Sequence, residues 1–297
     1  MTTLGLSATA APQRLRRLNL AVAQMQSVDG EIEGNLMRAL RLAQTAHADG
    51  ADLILFPELM PTGYALDKSI WSAAEPHDGP TARWLARTAR QLRCTIGTSF
   101  LEAQGGAYFN TFVLTGADGR ELGRVRKETP ASGEVPYFRG EVGPHVIDTP
   151  FGRIGIGICY ENYLCSLERH FATGQPDLIL QPHSAPDMKE AGGAASPPGT
   201  FVGAWYAKRF GVPVAMTNKV GPWSTIAPRS GKRVYGGFPG ASAIVGPSGE
   251  TLALMDNQPG VAVAQVTLDP ARKTAHASTC DGELISDLRK FDWLKSA

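Results

Sequence analysis

Two stretches of this chain run through the same order of elements: strand, helix, strand, helix, strand, hairpin. Few architectures can bury such a plan. In the first stretch LNLAVAQM (18–25) reads as a strand, and Ile32, Leu36, Ala39, Leu40, Ala43 and Ala46 recur at helical spacing up to a stop near Gly50. Strand DLILF (52–56) follows, then a helix over about 81–93 with Trp84, Leu85, Thr88, Ala89 and Leu92 on one face. Strand TIGTSFL and a hairpin over 109–126, turning at Asp118-Gly119, complete it. In the second stretch strand 153–158 leads to a helix near 163–173, strand DLILQ (177–181), a helix near 199–210, strand VPVAMT and a hairpin around Ser248-Gly249. The alternation predicts an α/β fold in which two stacked sheets carry helices on their outer faces.

With 297 residues, 43% of them hydrophobic and 19% charged, the chain can bury one full core. A single domain is expected over 17–297, with residues 1–16 a loose tail. That tail has no apolar segment of signal-peptide type, and no run of 18 apolar residues could span a bilayer. A net charge of +1, with Lys and Arg spread along the chain, creates no field for nucleic acid or an anionic membrane, so neither is an expected partner. Four cysteines are too few for a disulfide scaffold, and no Cys-x-x-Cys or His-Glu-x-x-His pattern suggests a metal. The reading is a cytoplasmic protein with reduced thiols and no metal or cofactor.

Chemistry concentrates in GRIGIGICYEN (152–162), where isoleucines alternating with glycines run into Cys159. In open α/β sheets ligands gather beyond the carboxyl ends of strands, which is where this thiol falls. A lone strand-end cysteine is more often packing than chemistry, and a catalytic one needs a base or a cation beside it. No histidine shows a cysteine-protease spacing. Two other strand ends carry the required types: Glu58 after DLILF, and Lys127 at the end of ELGRVRK. Singly each reads as a solvated surface charge. No dinucleotide fingerprint, Walker motif or nucleophile elbow is present: the third glycine of Gly-x-Gly-x-x-Gly falls on Tyr160, Gly231-Lys232 is followed by Arg233, and Ser242 lacks the second glycine.

Taken together, FPELMPTGY, VRKETP and GIGICYEN, in that order, resemble the motifs around the Glu-Lys-Cys set of the nitrilase or carbon-nitrogen hydrolase superfamily. Glu134 in GEVPYFRG, Asn218 in MTNKVG and the hairpin PGASAIVGPSGETLA extend the resemblance over about 18–268. It implies a four-layer α-β-β-α sandwich of two mixed sheets, pairing through a helical face into a dimer or higher homo-oligomer. It also implies that Glu58 is the base, in a low-polarity pocket that lifts its pKa toward neutrality, that Cys159 is the nucleophile, and that Lys127 with the Tyr160 N–H holds the developing negative charge. Glu134 then orients substrate and supports Glu58 and Lys127. Glu128 and Thr129 stand where the family often has Lys-x-His.

The expected reaction is hydrolysis of a non-peptide carbon-nitrogen bond, releasing ammonia from a small amide or N-carbamoyl compound through a Cys159 thioester. A nitrile, passing through a thioimidate, is the alternative. A catalytically silent binding or assembly subunit is the alternative of another class, against which stands the retention of Glu58, Lys127 and Cys159. Tyr64, Tyr160, Glu161, His183 and Asn218 are the candidate substrate-binding residues, with Trp205, Trp223 and Phe238 as pocket aromatics and residues 184–200 as a lid. Cys94, Cys165 and Cys280 are read as structural and unpaired.

Overall fold

The computed structural model describes residues 15–187, 199–226, 231–274, 277–278 and 280–288. Most of the expected tail, and residues 188–198 of the expected lid, lie outside them. In chain order the strands are β1 Arg16–Gln24, β2 Leu53–Leu55, β3 Thr95–Gln104, β4 Ala107–Thr115, β5 Glu121–Arg126, β6 Val146–Thr149, β7 Gly152–Ile156, β8 Leu178–Pro182 and β9 Val214–Thr217. They continue as β10 Val220–Ile226, β11 Arg233–Pro239, β12 Ala243–Val245, β13 Thr251–Leu254 and β14 Gly260–Leu268. The helices are α1 Ile32–Ala48, α2 Pro80–Leu92, α3 Cys165–Gly174 and α4 Gly199–Phe210.

The period-two alternation of β1 decides how the layers form. Leu18, Leu20 and Val22 point inward and meet Leu53, Leu55, Ile154, Ile156, Leu178, Leu180 and Ile244 in a core between two sheets. Ala21 and Ala23 point the other way, joining Ile54 and Ile96 against Leu36, Ala39, Ala43, Trp84 and Leu85 of α1 and α2. On the far side Ile179, Val214 and Val245 pack on Phe171, Val202, Tyr206 and Phe210 of α3 and α4. Burial of each Leu, Ile or Phe contributes about 1.5–3 kcal/mol, so the central strands are committed on both faces.

The two sheets are six-stranded, in the orders β14-β1-β2-β3-β4-β5 and β13-β12-β9-β8-β7-β6, with β10-β11 a separate hairpin. β1, β2 and β3 run parallel, as do β7, β8 and β9. Antiparallel strands flank each trio: β14 and β4 in one sheet, β6 and β12 in the other. The internal repeat read from the sequence is therefore real, with β10-β11 inserted between β9 and β12. This is the four-layer α-β-β-α sandwich, and it sets the carboxyl ends of β2, β7 and β8 in adjacent positions.

Candidate active site

β7 ends at Ile156, two residues before the expected strand end, because the chain must turn to present Cys159. A Cβ on Gly157 would lie 2.3 Å from Asn162 Oδ1, so glycine there lets the amide of Asn162 fold back. Asn162 Nδ2 donates to the carbonyls of Gly157 at 2.8 Å and Cys159 at 2.9 Å. Glu161 Oε2 accepts the Ile158 N–H at 3.0 Å. These bonds hold a 3-10 turn, Cys159–Tyr163, whose first residue has φ of 52°. Left-handed backbone in a non-glycine residue costs about 1–3 kcal/mol and persists only where its surroundings impose it. In such a turn the N–H of Tyr160 has no partner from the turn itself.

Glu58 sits three residues beyond β2. Its Oε1 accepts from Lys127 Nζ at 2.8 Å and from Asn110 Nδ2 at 2.7 Å, and its Oε2 accepts from the Ser184 N–H at 2.8 Å. The Ser184 hydroxyl donates to the Glu58 carbonyl at 2.7 Å. Lys127 follows β5, and its main-chain N–H donates to Asn110 O at 2.8 Å, so one residue of β4 positions both members of the ion pair. The same ammonium lies 2.8 Å from Glu134 Oε2. Glu134 is fixed by the Tyr64 hydroxyl at 2.8 Å and the Ala131 N–H at 2.7 Å. The Cys159 thiol lies within range of the Glu58 and Lys127 charges. Relative exposure is 0% for Glu58 and Glu134, 1% for Lys127 and 8% for Cys159.

Burial pushes Glu58 up, but the Lys127 charge and hydrogen bond, with His183 and Cys159 helping, bring its pKa below the ordinary carboxylate value. This corrects the expectation of a carboxyl lifted toward neutrality: a buried ammonium at contact distance outweighs desolvation. Burial lowers Lys127, yet the carboxylates of Glu134 and Glu58 carry it well above its usual value. Cys159 is raised well above an ordinary thiol by burial and by Glu58, against the opposing pull of Lys127. Glu134 is raised by burial and, Lys127 notwithstanding, by Glu58. The resting site thus holds a neutral thiol against an ionised carboxylate.

The remaining expected residues fall around this centre with other partners. His183 follows β8; burial pushes its pKa down to about 4, and its Nε2 lies 3.4 Å from Asn162 Nδ2. Asn218 Oδ1 accepts from the N–H groups of Ala185 and Lys219, and its Nδ2 donates to Ala185 O, so the amide clamps two loops. Glu161 Oε1 accepts the Glu128 N–H at 2.6 Å, tying the Cys159–Tyr163 turn to the segment after Lys127. The Tyr64 ring packs on Trp223 and Phe238, whereas Trp205 belongs to the α3–α4 core. Asn110, Ser184 and the buried Lys219 went unnoticed in the sequence, because no local pattern marks a polar side chain that reaches across the fold.

The cysteine expectation needs a further correction. Cys165 and Cys280 form a disulfide with Cα atoms 5.5 Å apart, spanning 115 residues; Cys94 and Cys159 are free and buried. The Cys165 N–H donates to Glu283 O and the Ile285 N–H to Tyr163 O, so the bridge joins a segment already laid along the Cys159–Tyr163 turn. A separation of this length gives no sequence signal.

The fold brings a buried acid, cation and thiol together, and comparison with known proteins gives the family. The carbon-nitrogen hydrolase family model matches residues 19–276. The chain belongs to that family and is a carbon-nitrogen hydrolase. It is 28% identical to an N-carbamoylputrescine amidase of Solanum lycopersicum, covering 89% of this chain and 91% of that protein. It is 27% identical to an omega-amidase of Bos taurus, covering 94% and 99%. The fold matches a crystal structure of a carbon-nitrogen hydrolase from Helicobacter pylori with TM-score 0.73 at 21% identity, covering 84% of this chain and 89% of that one. Among the described residues no helix is long and apolar enough to cross a membrane.

Proposed function

We propose that the chain hydrolyses small amides or N-carbamoyl compounds, with Cys159 as nucleophile, Glu58 as general base and acid, and Lys127 as the fixed cation. The observation that carries this reading is the Lys127 ammonium held between Glu58 and Glu134, with the Cys159 thiol near enough for the charges of Glu58 and Lys127 to shift it. Because the thiol is raised and the carboxylate lowered, proton transfer in the resting site is uphill. It therefore proceeds together with C–S bond formation, when Lys127 and the Tyr160 N–H meet the oxyanion being formed. Glu58, now protonated, gives its proton to the leaving nitrogen, and ammonia departs as a thioester forms on Cys159. Water, losing a proton to Glu58, attacks the thioester carbon; the acid product leaves and the thiol regains its proton. Glu134, locked by Tyr64 and Ala131, keeps the ammonium in place.

The names of the relatives support the amide and carbamoyl classes. A nitrile would meet the same sulfur and form a thioimidate, and a relative from Pyrococcus abyssi, 28% identical, bears the name nitrilase. Ammonia release from a panel of amides, N-carbamoyl compounds and nitriles, for wild type and Cys159→Ala, separates these classes. The expected result is release from amides or carbamoyl compounds that Cys159→Ala abolishes. Silence across the panel, or release undiminished in Cys159→Ala, overturns the reading.

A further inference from the structure

Behind the nucleophile turn stand three ligand-bearing side chains that the proposed reaction does not use. Glu128 follows Lys127, His145 precedes β6 and His170 lies on α3. His170 Nε2 is 2.8 Å from Glu128 Oε2, and His145 Nε2 is 3.7 Å from the same oxygen. One ligand atom from each lies within 4.8 Å of the others.

The orientation of His145 gives this cluster its character. Its Nδ1 is 3.0 Å from the Ile156 carbonyl, which can only accept, so Nδ1 carries a hydrogen and the ring presents Nε2 to the cluster. An outer carbonyl of this kind is what orients an imidazole toward a metal. Facing that nitrogen are two carboxylate oxygens, Glu128 Oε2 and, at 3.8 Å, Glu161 Oε1. The imidazole nitrogen and these oxygens converge at 1–19% side-chain exposure, a set of donor atoms that a cation in their midst would balance. Four-coordinate zinc, with ligands at about 2.0–2.2 Å, sets neighbouring donor atoms about 3.3 Å apart, and the observed 2.8 and 3.7 Å bracket that separation.

We propose that Glu128, His145 and His170 form a divalent transition-metal site, suited to Zn²⁺, separate from the Glu58–Lys127–Cys159 centre. Two imidazoles and one carboxylate supply three ligands, and water completes the set on the side where the His170 side chain is 30% exposed. Glu161 stays outside the metal's own ligands, its oxygens already taken by the N–H groups of Glu128 and Ile158. The metal acts as a clamp: it draws the segment carrying Lys127 onto the helix and strand that flank Cys159.

The test is calorimetric titration of ZnCl₂ into Cys159→Ser, which removes the active-site thiol as a competing zinc ligand, and into the same protein carrying His145→Gln or His170→Gln. The expected result is one Zn²⁺ per chain in Cys159→Ser, weakened about 10-fold or more by either histidine change, since even an outer-shell loss costs that much. Co²⁺ bound to Cys159→Ser should show a visible absorption band that both changes remove. Should His145→Gln fail to give the native circular dichroism spectrum, His170→Gln, at the exposed edge, decides alone. No stoichiometric binding to Cys159→Ser, or binding equally tight without the histidines, overturns the site and leaves the cluster a proton-sharing network. The outcome is independent of the proposed amidase activity.

Discussion

Lys219 offers a perturbation whose size can be worked from the structure. It is 1% exposed; its Nζ donates to Leu59 O at 3.0 Å and lies 5.8 Å from the ring centres of both Tyr64 and Phe238. Burial pulls its pKa from 10.5 down to about 8, against Asp29 and Glu58, which pull upward. At about 1.4 kcal/mol per tenfold, that gap amounts to about 3 kcal/mol lost by folding around a charged lysine. Below about pH 8 folded and unfolded chains both hold the proton and the full cost applies. Between about 8 and 10.5 the unfolded chain holds a proton that the folded chain has released, so stability rises with pH. Above that window both are neutral. Lys219→Met keeps most of the stem and removes the titration. Denaturant unfolding of both proteins at about pH 7 and about pH 10.5 should show wild type gaining about 3 kcal/mol relative to the variant. Other groups titrate in both proteins and cancel in the difference. A difference that stays constant with pH would refute the argument, since the ammonium would then not be desolvated.

Asn110→Leu removes a 2.7 Å donor from Glu58. A hydrogen bond to a charged group is worth about 1.5–3 kcal/mol, so kcat should fall by about 10-fold or more with KM little changed; unaltered turnover would show that Glu58 needs no such support. Cys280→Ser opens a link spanning 115 residues and should lower stability by about 2–4 kcal/mol, with faster amide exchange at Cys165 and Ile285. Exchange unchanged there would show that the hydrogen bonds hold the segment by themselves.

What the sequence makes visible, and what it conceals, follows from the range of the forces. The strands and helices of both halves were legible because alternation such as Leu18-Leu20-Val22 is imposed by burial on one face, residue by residue. Glu58, Lys127 and Cys159 each read singly as an ordinary strand-end side chain and become a set only through the resemblance of FPELMPTGY, VRKETP and GIGICYEN to the family's motifs. Asn110 and Ser184 carried no such mark, since each meets Glu58 across 52 and 126 residues and neither disturbs a local period. The direction of the Glu58 pKa was likewise hidden, because it depends on whether a cation sits at 2.8 Å or merely nearby. The short strand β7 was read two residues too long, since Gly157 and Ile158 continue its apolar alternation while Glu161 and Asn162 turn the chain.

In the proposed cycle the sulfur of Cys159 becomes acylated while Glu58 handles the protons. Acid quenching during turnover of an amide from the active panel, followed by peptide mass mapping, tests it directly. The expected result is an acyl mass on the Cys159 peptide in wild type, absent in Glu58→Gln incubated with the same amide. Steady ammonia release with no adduct on that peptide, or equal acylation in Glu58→Gln, would contradict it.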